Sequence, residues 1–177
     1  MTTPAARQPL NIRRSLQEAL YLRLEVPNTT PSGLALAAGF VDYQDEEFSD
    51  AAHDQWVRVE RVSGGAGSWK RSMFQIICFT RTAADRVGAL MDALVNAVED
   101  AMRQGRGEIT LYDFAVPASP VAIAEKKLVV VTPDGYRGEP SEGPATAEAP
   151  GGITAQVLTY HVGVFPDDWM SEKYRAP

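Results

Sequence analysis

The stretch that decides the fold is "SMFQIICFTRTAADRVGALMDALVNAVEDAM", residues 72–102. Its first part is rich in β-branched and aromatic residues and apolar at successive positions, which is typical of a strand buried on both faces. After Arg81 the apolar residues recur at the spacing of an α-helix. Because "TAAD" (82–85) resembles a capping box, we expect Thr82 to begin an amphipathic helix of about 20 residues over one face of a sheet. Its predicted stripe is Val87, Leu90, Met91, Leu94, Val98, Ala101 and Met102.

Two elements are predicted before this stretch. "QWVRVERV" (55–62) alternates, which places Val57 and Val59 on one face of a strand and Trp56, Arg58 and Glu60 on the other. Further upstream, four apolar residues at helical spacing predict an N-terminal helix that ends by position 26. They are Ile12, Leu16, Ala19 and Leu20.

The glycine-rich loop "SGGAGSWKRS" (63–72) resembles a phosphate-binding loop only superficially. Counting from Gly64, the second glycine of that motif is replaced by Trp69, and Arg71 stands where the magnesium-binding hydroxyl belongs. A strand follows the loop, so no helix N-terminus is available for a phosphate. We therefore interpret the loop as the turn of a hairpin.

Three strands are predicted after the helix, in "EITLYDFAV" (108–116), "KKLVVVT" (126–132) and "ITAQVLTYHVGVF" (153–165). The order of elements predicts an α+β fold with a mostly antiparallel sheet. The glycine- and proline-rich segment 133–152 predicts a long flexible hairpin excursion. We expect a flexible N-terminal arm (1–9), one domain (10–165) and a C-terminal segment (166–177).

The composition excludes several classes of function. Apolar residues make up 45% of the 177 positions, so the chain can bury a core, but a net charge of −6 disfavours general nucleic-acid binding and docking on anionic lipid. No apolar run approaches the roughly 20 residues of a membrane span. The first residues lack a secretion signal, so we expect no export. The single cysteine, Cys78, allows no internal disulfide and is predicted to be buried.

A search for catalytic chemistry finds no recognisable pattern. His53, His161 and Cys78 are far apart and form no zinc motif, and we expect a structural or surface role for His161 and a solvated loop for His53. The acidic run lacks the spacing of a calcium loop, which indicates a solvated or partner-facing loop. It comprises Asp42, Asp45, Glu46, Glu47, Asp50 and Asp54. We expect no enzyme, cofactor or bound metal.

The strand-to-helix joint at 73–102, the "LTYHV" strand at 158–162 and the helix-first order carry a resemblance. Together they resemble the tail terminator (tail completion) proteins of long-tailed bacteriophages, the group that includes the phage lambda terminator. The resemblance spans roughly residues 10–165 at the level of element order. Three segments depart from it: the arm, the 133–152 excursion and "PDDWMSEKYRAP" (166–177).

The resemblance implies a structural virion protein without catalytic residues. Such proteins form a hexameric ring at the head-proximal end of the tail tube, stop tube polymerisation and provide the surface for the head–tail connector. The implied partners are other copies of the chain, the major tail tube protein and the connector, with assembly in the host cytoplasm. Phage DNA passes through the ring without sequence-specific binding, and an acidic protein suits such a channel because carboxylates repel phosphates.

Interface residues follow as hypotheses. Arg13 and Arg14 are predicted to contact Asp45, Glu46 and Glu47 of a neighbouring subunit, and the alternative is that both are solvated faces. Trp169 and Tyr174 are candidate anchors for a partner or for their own domain.

Two other classes of function stay open. One is a different neck or head-completion ring protein. The other is a small α+β enzyme or ligand-binding domain in which Trp56, Trp69 and Tyr112 line a pocket, although core and interface packing is the commoner role of such aromatics.

Overall fold

The structure is a computed structural model, which describes residues 8–25, 39–43, 49, 52–64, 72–85, 87–103, 107–114, 120–131, 141–142, 146–149 and 152–166. The described helices are α1 (Gln8–Leu20), which continues into a π-helical turn (Tyr21–Glu25), and α2 (Ala89–Arg103). The described strands are β1 (Val41–Asp42), β2 (Gln55–Gly64), β3 (Ser72–Arg81), β4 (Glu108–Asp113), β5 (Val121–Val131), β6 (Ser141–Glu142), β7 (Thr146–Ala149) and β8 (Ile153–Pro166). The α+β class predicted from the sequence is confirmed.

All eight strands belong to one sheet, with the order β1-β2-β3-β8-β5-β4 and with β6 and β7 paired to β8. The pair β1–β2 is parallel and the other pairs are antiparallel. β8, the last strand, lies at the centre between two hairpins. It pairs with β3 along residues 153–162 and with β5 along residues 161–166. The sheet is therefore held together by the C-terminal strand.

The core lies between one face of this sheet and the two helices. Alternate strand positions place Val57, Ile76 and Leu158 on the core face, where each is completely buried. Leu16 of α1 and Leu94 of α2 are equally inaccessible on the helix side. Truncating the isoleucine or any of the leucines in this set to alanine is expected to cost about 2–5 kcal/mol.

Helix α2 is shorter than the sequence predicted. It has 15 residues and begins at Ala89, not near Thr82. Val87, which we assigned to the apolar stripe, precedes the helix and is 87% exposed. Within the helix the buried positions are Met91, Leu94, Val95, Ala97, Val98, Ala101 and Met102.

The predicted cap of α2 was also wrong. Both carboxylate oxygens of Asp85 accept hydrogen bonds from helix amides, at 3.0 Å from Leu90 N and 2.8 Å from Met91 N. The position just before the helix is Gly88, which has no side chain to cap with, so Asp85 supplies the acceptor from three residues upstream. Thr82 Oγ1 instead lies 3.4 Å from the hydroxyl of Thr154 on β8.

The first helix covers the β4 edge of the sheet. Ser15 Oγ of α1 accepts a hydrogen bond of 3.0 Å from the amide of Tyr112, so an edge amide of β4 is satisfied by the helix. Arg23 in the π-helical turn donates to the carbonyls of Ala101, at 2.6 Å, and Glu108, at 2.7 Å. This guanidinium joins the end of α2 to the start of β4, and its partial burial lowers its pKa.

Three boundaries differ from the sequence-based expectations. Gln8 and Pro9, assigned to the flexible arm, belong to α1. Within the predicted excursion at 133–152, the structure describes β6 and β7, both paired with β8. β5 begins at Val121, five residues before the predicted start at Lys126. At this early part of β5, Val121 and Ala122 pair with β4, and the pairing with β8 begins only at Lys126.

Candidate functional site: the outer sheet face

The side of strands β2, β3 and β8 that points away from the helices forms a continuous surface, which we call the outer sheet face. Alternation along each strand selects its members, because most of the intervening positions are buried in the core. Most of these side chains are half-buried. They are Trp56, Arg58 and Glu60 of β2, Gln75, Ile77, Phe79 and Arg81 of β3, and Ala155, Val157, Thr159 and His161 of β8.

Four of these side chains form a continuous stack across β2 and β3. The rings of Trp56 and Phe79 are nearly parallel, with centroids 4.9 Å apart. The guanidinium of Arg58 lies 5.5 Å from the Phe79 centroid, and that of Arg81 lies 5.7 Å from the Trp56 centroid. Two cations therefore enclose two aromatic rings, in the order Arg58, Phe79, Trp56, Arg81. Cation–π contacts of this kind hold both arginines in fixed positions.

Arg58 is also fixed by an ion pair. Its Nε donates to Asp42 Oδ2 at 2.5 Å, across the parallel pair of β1 and β2. Glu60 lies near the same guanidinium, at 3.8 Å from Nη1. The Asp42 side chain is 2% exposed and that of Arg58 is 36% exposed. Asp42, which the sequence grouped with a solvated acidic loop, is thus a buried partner of the outer sheet face.

Arg81 fixes the residues that precede β2. Its Nε donates to the carbonyl of His53 at 2.9 Å, and its backbone amide donates to the carbonyl of Asp54, also at 2.9 Å. His53 is half-buried, so the expectation of a solvated loop residue was wrong. The outer sheet face is therefore held to two neighbouring segments: Arg58 binds β1, and Arg81 binds the residues that precede β2.

The chemistry of this face suits contact with another protein. Aromatic side chains and arginines are the types enriched at the energetic centres of protein interfaces. Cys78 points to the opposite side and is completely buried, as predicted, and burial raises the pKa of its thiol. Within the described ranges, no three His, Cys, Asp or Glu side chains are grouped as metal ligands.

Of the predicted interface residues, the structure describes only Arg13 and Arg14. Arg14 lies over the ring of Tyr43, at 5.3 Å from its centroid, so it has a contact within its own subunit. Arg13 is half-buried on the same helix. The other predicted interface residues lie outside the described residues, and their contacts with a neighbouring subunit stay predictions. They are Asp45, Glu46, Glu47, Trp169 and Tyr174.

The aromatic residues proposed for a pocket are separated by the fold. Trp56 lies in β2 and is 2% exposed, whereas Tyr112 lies in β4 and packs near Phe114 with ring centroids 6.1 Å apart. Three strands stand between β2 and β4, so the two residues lie on strands that are about 19 Å apart, measured along the sheet. Trp69 lies outside the described residues. Trp56 and Tyr112 therefore line no common pocket.

Sequence reasoning placed Trp56 and Arg58 on one strand face but missed the stack. The stack requires the register that brings Phe79 opposite Trp56 and Ile77 opposite Arg58. Hairpin register depends on the geometry of the connecting turn, which the sequence of the loop did not specify. The signal in the sequence that could have indicated the stack was the alternation of aromatic and cationic residues in both strands.

No family model matches the chain, and no curated protein matches it either. Among the helices that the structure describes, none is long and apolar enough to cross a membrane.

Proposed function

We propose that this chain is a structural virion protein that forms a ring on the end of a phage tail tube, ends tube polymerisation and offers a surface for head–tail joining. The partners in this proposal are further copies of the chain, the tail tube protein and the connector, and DNA passes through the ring. The location is the head-proximal end of the tail, after assembly in the host cytoplasm. No catalytic role is included.

The observation that carries the proposal is the outer sheet face. It is an extended surface across three strands, with Arg58 and Arg81 fixed by stacking and hydrogen bonds, so little side-chain entropy is lost when another protein covers it. The helices occupy the opposite face of the sheet. Contact between the outer face of one subunit and a different surface of the next is heterologous, and such a contact forms a ring when the rotation between subunits closes.

The order of elements gives further support. The described chain has a first helix, a hairpin (β2–β3), a second helix and a C-terminal strand in the order on which the resemblance rests. A seven-residue connection separates β3 from α2, so the strand and the helix are less directly joined than the sequence suggested. We include in the proposal that α2 serves as the sheet-covering amphipathic helix of that family.

The test compares two substitutions that each add one negative charge. Val157→Glu changes the outer sheet face, and Asn96→Glu changes an exposed position of α2. Light scattering and negative-stain imaging of the wild type are expected to show a ring of about six 19.3 kDa subunits, alone or on purified tail tubes. Val157→Glu is expected to prevent ring formation and tube binding, while Asn96→Glu retains both. A wild-type protein that neither forms rings nor binds tubes would reject the proposal.

A further inference from the structure

The outer sheet face contains one histidine, His161 of β8. The alternation of the strand places it on the same face as Val157 and Thr159, and its side chain is half-buried. Histidine is the side-chain type whose charge ordinarily changes between about pH 5 and pH 8. The chain has 2 histidines, and the other, His53, precedes β2 and is not a member of the face.

The positions next to His161 are uncharged. The register places Met73 of β3 on one side of it and Val131 of β5 on the other. Thr159 and Gly163 are its neighbours on the same face of β8. Within the described ranges, no side chain forms a hydrogen bond or an ion pair with the imidazole.

The carboxylates on this side of the sheet lie farther away, and each has a cation beside it. Glu60 of β2 and Glu108 of β4 are each two strands from β8, about 10 Å along the sheet. Glu60 is 3.8 Å from the guanidinium of Arg58, and Glu108 is 3.4 Å from the ammonium of Lys127. Neither carboxylate is therefore placed to pair with an imidazolium on β8.

The charged residues of the strands that pair with β8 are no better placed. Arg81 of β3 stands opposite Ile153, eight residues from His161 along β8, and β7 pairs only with residues 153–155. Glu142 of β6 stands opposite Leu158, which is a core-face position. On β5, the nearest charged positions are opposite residues 165 and 166. The described part of the subunit thus offers no carboxylate to a protonated ring at position 161.

We propose that His161 makes assembly through the outer sheet face sensitive to pH, and that protonation of its ring weakens the contact between subunits. The inference rests on the proposed ring, because a subunit that covers this face takes the imidazole out of water. A neutral imidazole is covered at little cost beside Met73 and Gly163. A cationic imidazolium loses its hydration without gaining a carboxylate from its own subunit.

Acid should therefore weaken assembly. Covering the face favours the neutral ring, so assembled subunits bind fewer protons than separate subunits, and assembly becomes weaker as the pH falls from about 8 to about 5. A surface complementary to the uncharged positions around His161 is apolar, so the neighbour is not expected to supply a carboxylate. If the ring is protonated only in separate subunits, lowering the pH by about two units should raise the dissociation constant of one contact about tenfold.

Three substitutions separate the charge of residue 161 from other effects of pH. His161→Gln is never charged, His161→Lys is charged throughout, and His53→Gln changes the histidine outside the face. Sedimentation velocity of the purified full-length chain, over a concentration series at about pH 7.5 and about pH 5.5, gives the dissociation constants. The same series with purified tail tubes measures assembly on the tube.

The wild type and His53→Gln are expected to lose about tenfold in affinity at the lower pH, because both retain His161. His161→Gln is expected to keep its affinity at both values, and His161→Lys is expected to assemble poorly at both. A parallel loss in His161→Gln would overturn the inference, and so would wild-type affinity of His161→Lys at the higher pH. Stronger assembly in acid would also overturn it, since the neighbour would then supply a carboxylate.

Failure of the ring and failure of the histidine give different results. Wild-type rings that are indifferent to pH would contradict only the role of His161 and leave the proposed function standing. A wild type that neither forms rings nor binds tubes at either pH would reject both. Near-UV circular dichroism at the lower pH is expected to show native packing in all four proteins. Loss of that signal in the wild type would overturn the assignment to the contact between subunits.

Discussion

Arg58 and Asp42 form an ion pair in which the two partners have very different surroundings. The Asp42 side chain is 2% exposed, while 36% of the Arg58 side chain remains accessible to solvent. If the partner is removed, Arg58 can be hydrated where it is, but the carboxylate of Asp42 is left in a poorly solvated place. The energetic roles of the two residues are therefore unequal.

Removing Arg58 should destabilise the protein more than neutralising Asp42. Arg58→Met keeps an unbranched stem over Phe79 but removes the cation that is paired with a buried carboxylate, so we expect a loss of about 3–5 kcal/mol in the free energy of unfolding. Asp42→Asn retains a hydrogen-bond acceptor and should cost about 1–2 kcal/mol. Urea unfolding of both variants at neutral pH measures the difference. A larger loss for Asp42→Asn would show that the ion pair does not compensate a buried charge.

The cap of α2 gives a second prediction. Asp85→Ala removes the acceptor of two helix amides and a negative charge from the helix N-terminus, so a loss of about 1–2 kcal/mol is expected. Thr82→Ala, the residue that the sequence favoured as the cap, is the matched control and should cost less than about half as much. Thermal unfolding of the two variants ranks them. Equal losses would mean that Asp85 is not the dominant cap.

The strands were predictable from the sequence where one pattern of apolar and polar positions extends along the whole strand. β2, β3 and β8 follow the predicted runs closely because their apolar and polar positions alternate or are continuously apolar over many residues. The beginning of α2 was not predictable from periodicity. Val87 fits the helical stripe by spacing, yet the glycine that follows it and the carboxylate of Asp85 set the helix start at Ala89.

The candidate site was less predictable than the fold, because it depends on pairs of residues from different strands. Alternation placed Trp56 and Arg58 on one face, but it could not bring Phe79 against Trp56. β1 has only two residues, too few for a pattern, so the pairing of Asp42 with Arg58 was hidden within an acidic run. The early start of β5 was missed because "VAIAE" lacks the dense apolar content of the following strand.

Alkaline pH should destabilise the protein through two buried acids. Burial is the main cause of the raised pKa of both the Cys78 thiol and the Tyr160 phenol, and Glu99 raises both further. A group with a raised pKa in the folded state stabilises the fold fully below its unfolded pKa. That contribution falls once the unfolded chain releases the proton, above the ordinary values of 9.0 for the thiol and 10.0 for the phenol.

The free energy of unfolding should therefore fall by about 1.4 kcal/mol per pH unit for each of these groups above its ordinary pKa. Tyr160→Phe isolates the phenol, whose hydroxyl has no hydrogen-bond partner among the described residues. At neutral pH this variant should lie within about 1 kcal/mol of the wild type, since no bond is lost. Urea unfolding between about pH 8 and pH 11 should show a shallower decline for the variant. Parallel declines would exclude the phenol as a cause.

Arg23 should be sensitive even to a conservative substitution. Its guanidinium donates to two carbonyls, one at the end of α2 and one at the start of β4, which a lysine ammonium on a flexible stem does not reproduce with the same geometry. We expect Arg23→Lys to lower the free energy of unfolding by about 1–3 kcal/mol. Arg103→Lys, at an exposed position of α2, is the control and should stay within about 0.5 kcal/mol. Similar losses would mean that the bridge between α2 and β4 contributes little.

Arg14 tests whether the first helix contributes to assembly. In the proposed ring, Arg14→Glu should weaken association, because it reverses a charge that is predicted to face the acidic residues of a neighbour. The same change removes the contact of Arg14 with Tyr43, which is worth about 0.5–1 kcal/mol within the subunit. Tyr43→Leu separates the two effects, since it removes the ring and keeps the cation.

Light scattering at low and high salt compares the three proteins. If Arg14 acts between subunits, Arg14→Glu alone should shift the population toward smaller species, and salt should weaken wild-type assembly by screening the same charges. If Arg14 acts only by holding Tyr43, the two variants should behave alike and salt should have little effect. Assembly that is unchanged in both variants would remove Arg14 from the interface and leave the outer sheet face as the surface to test.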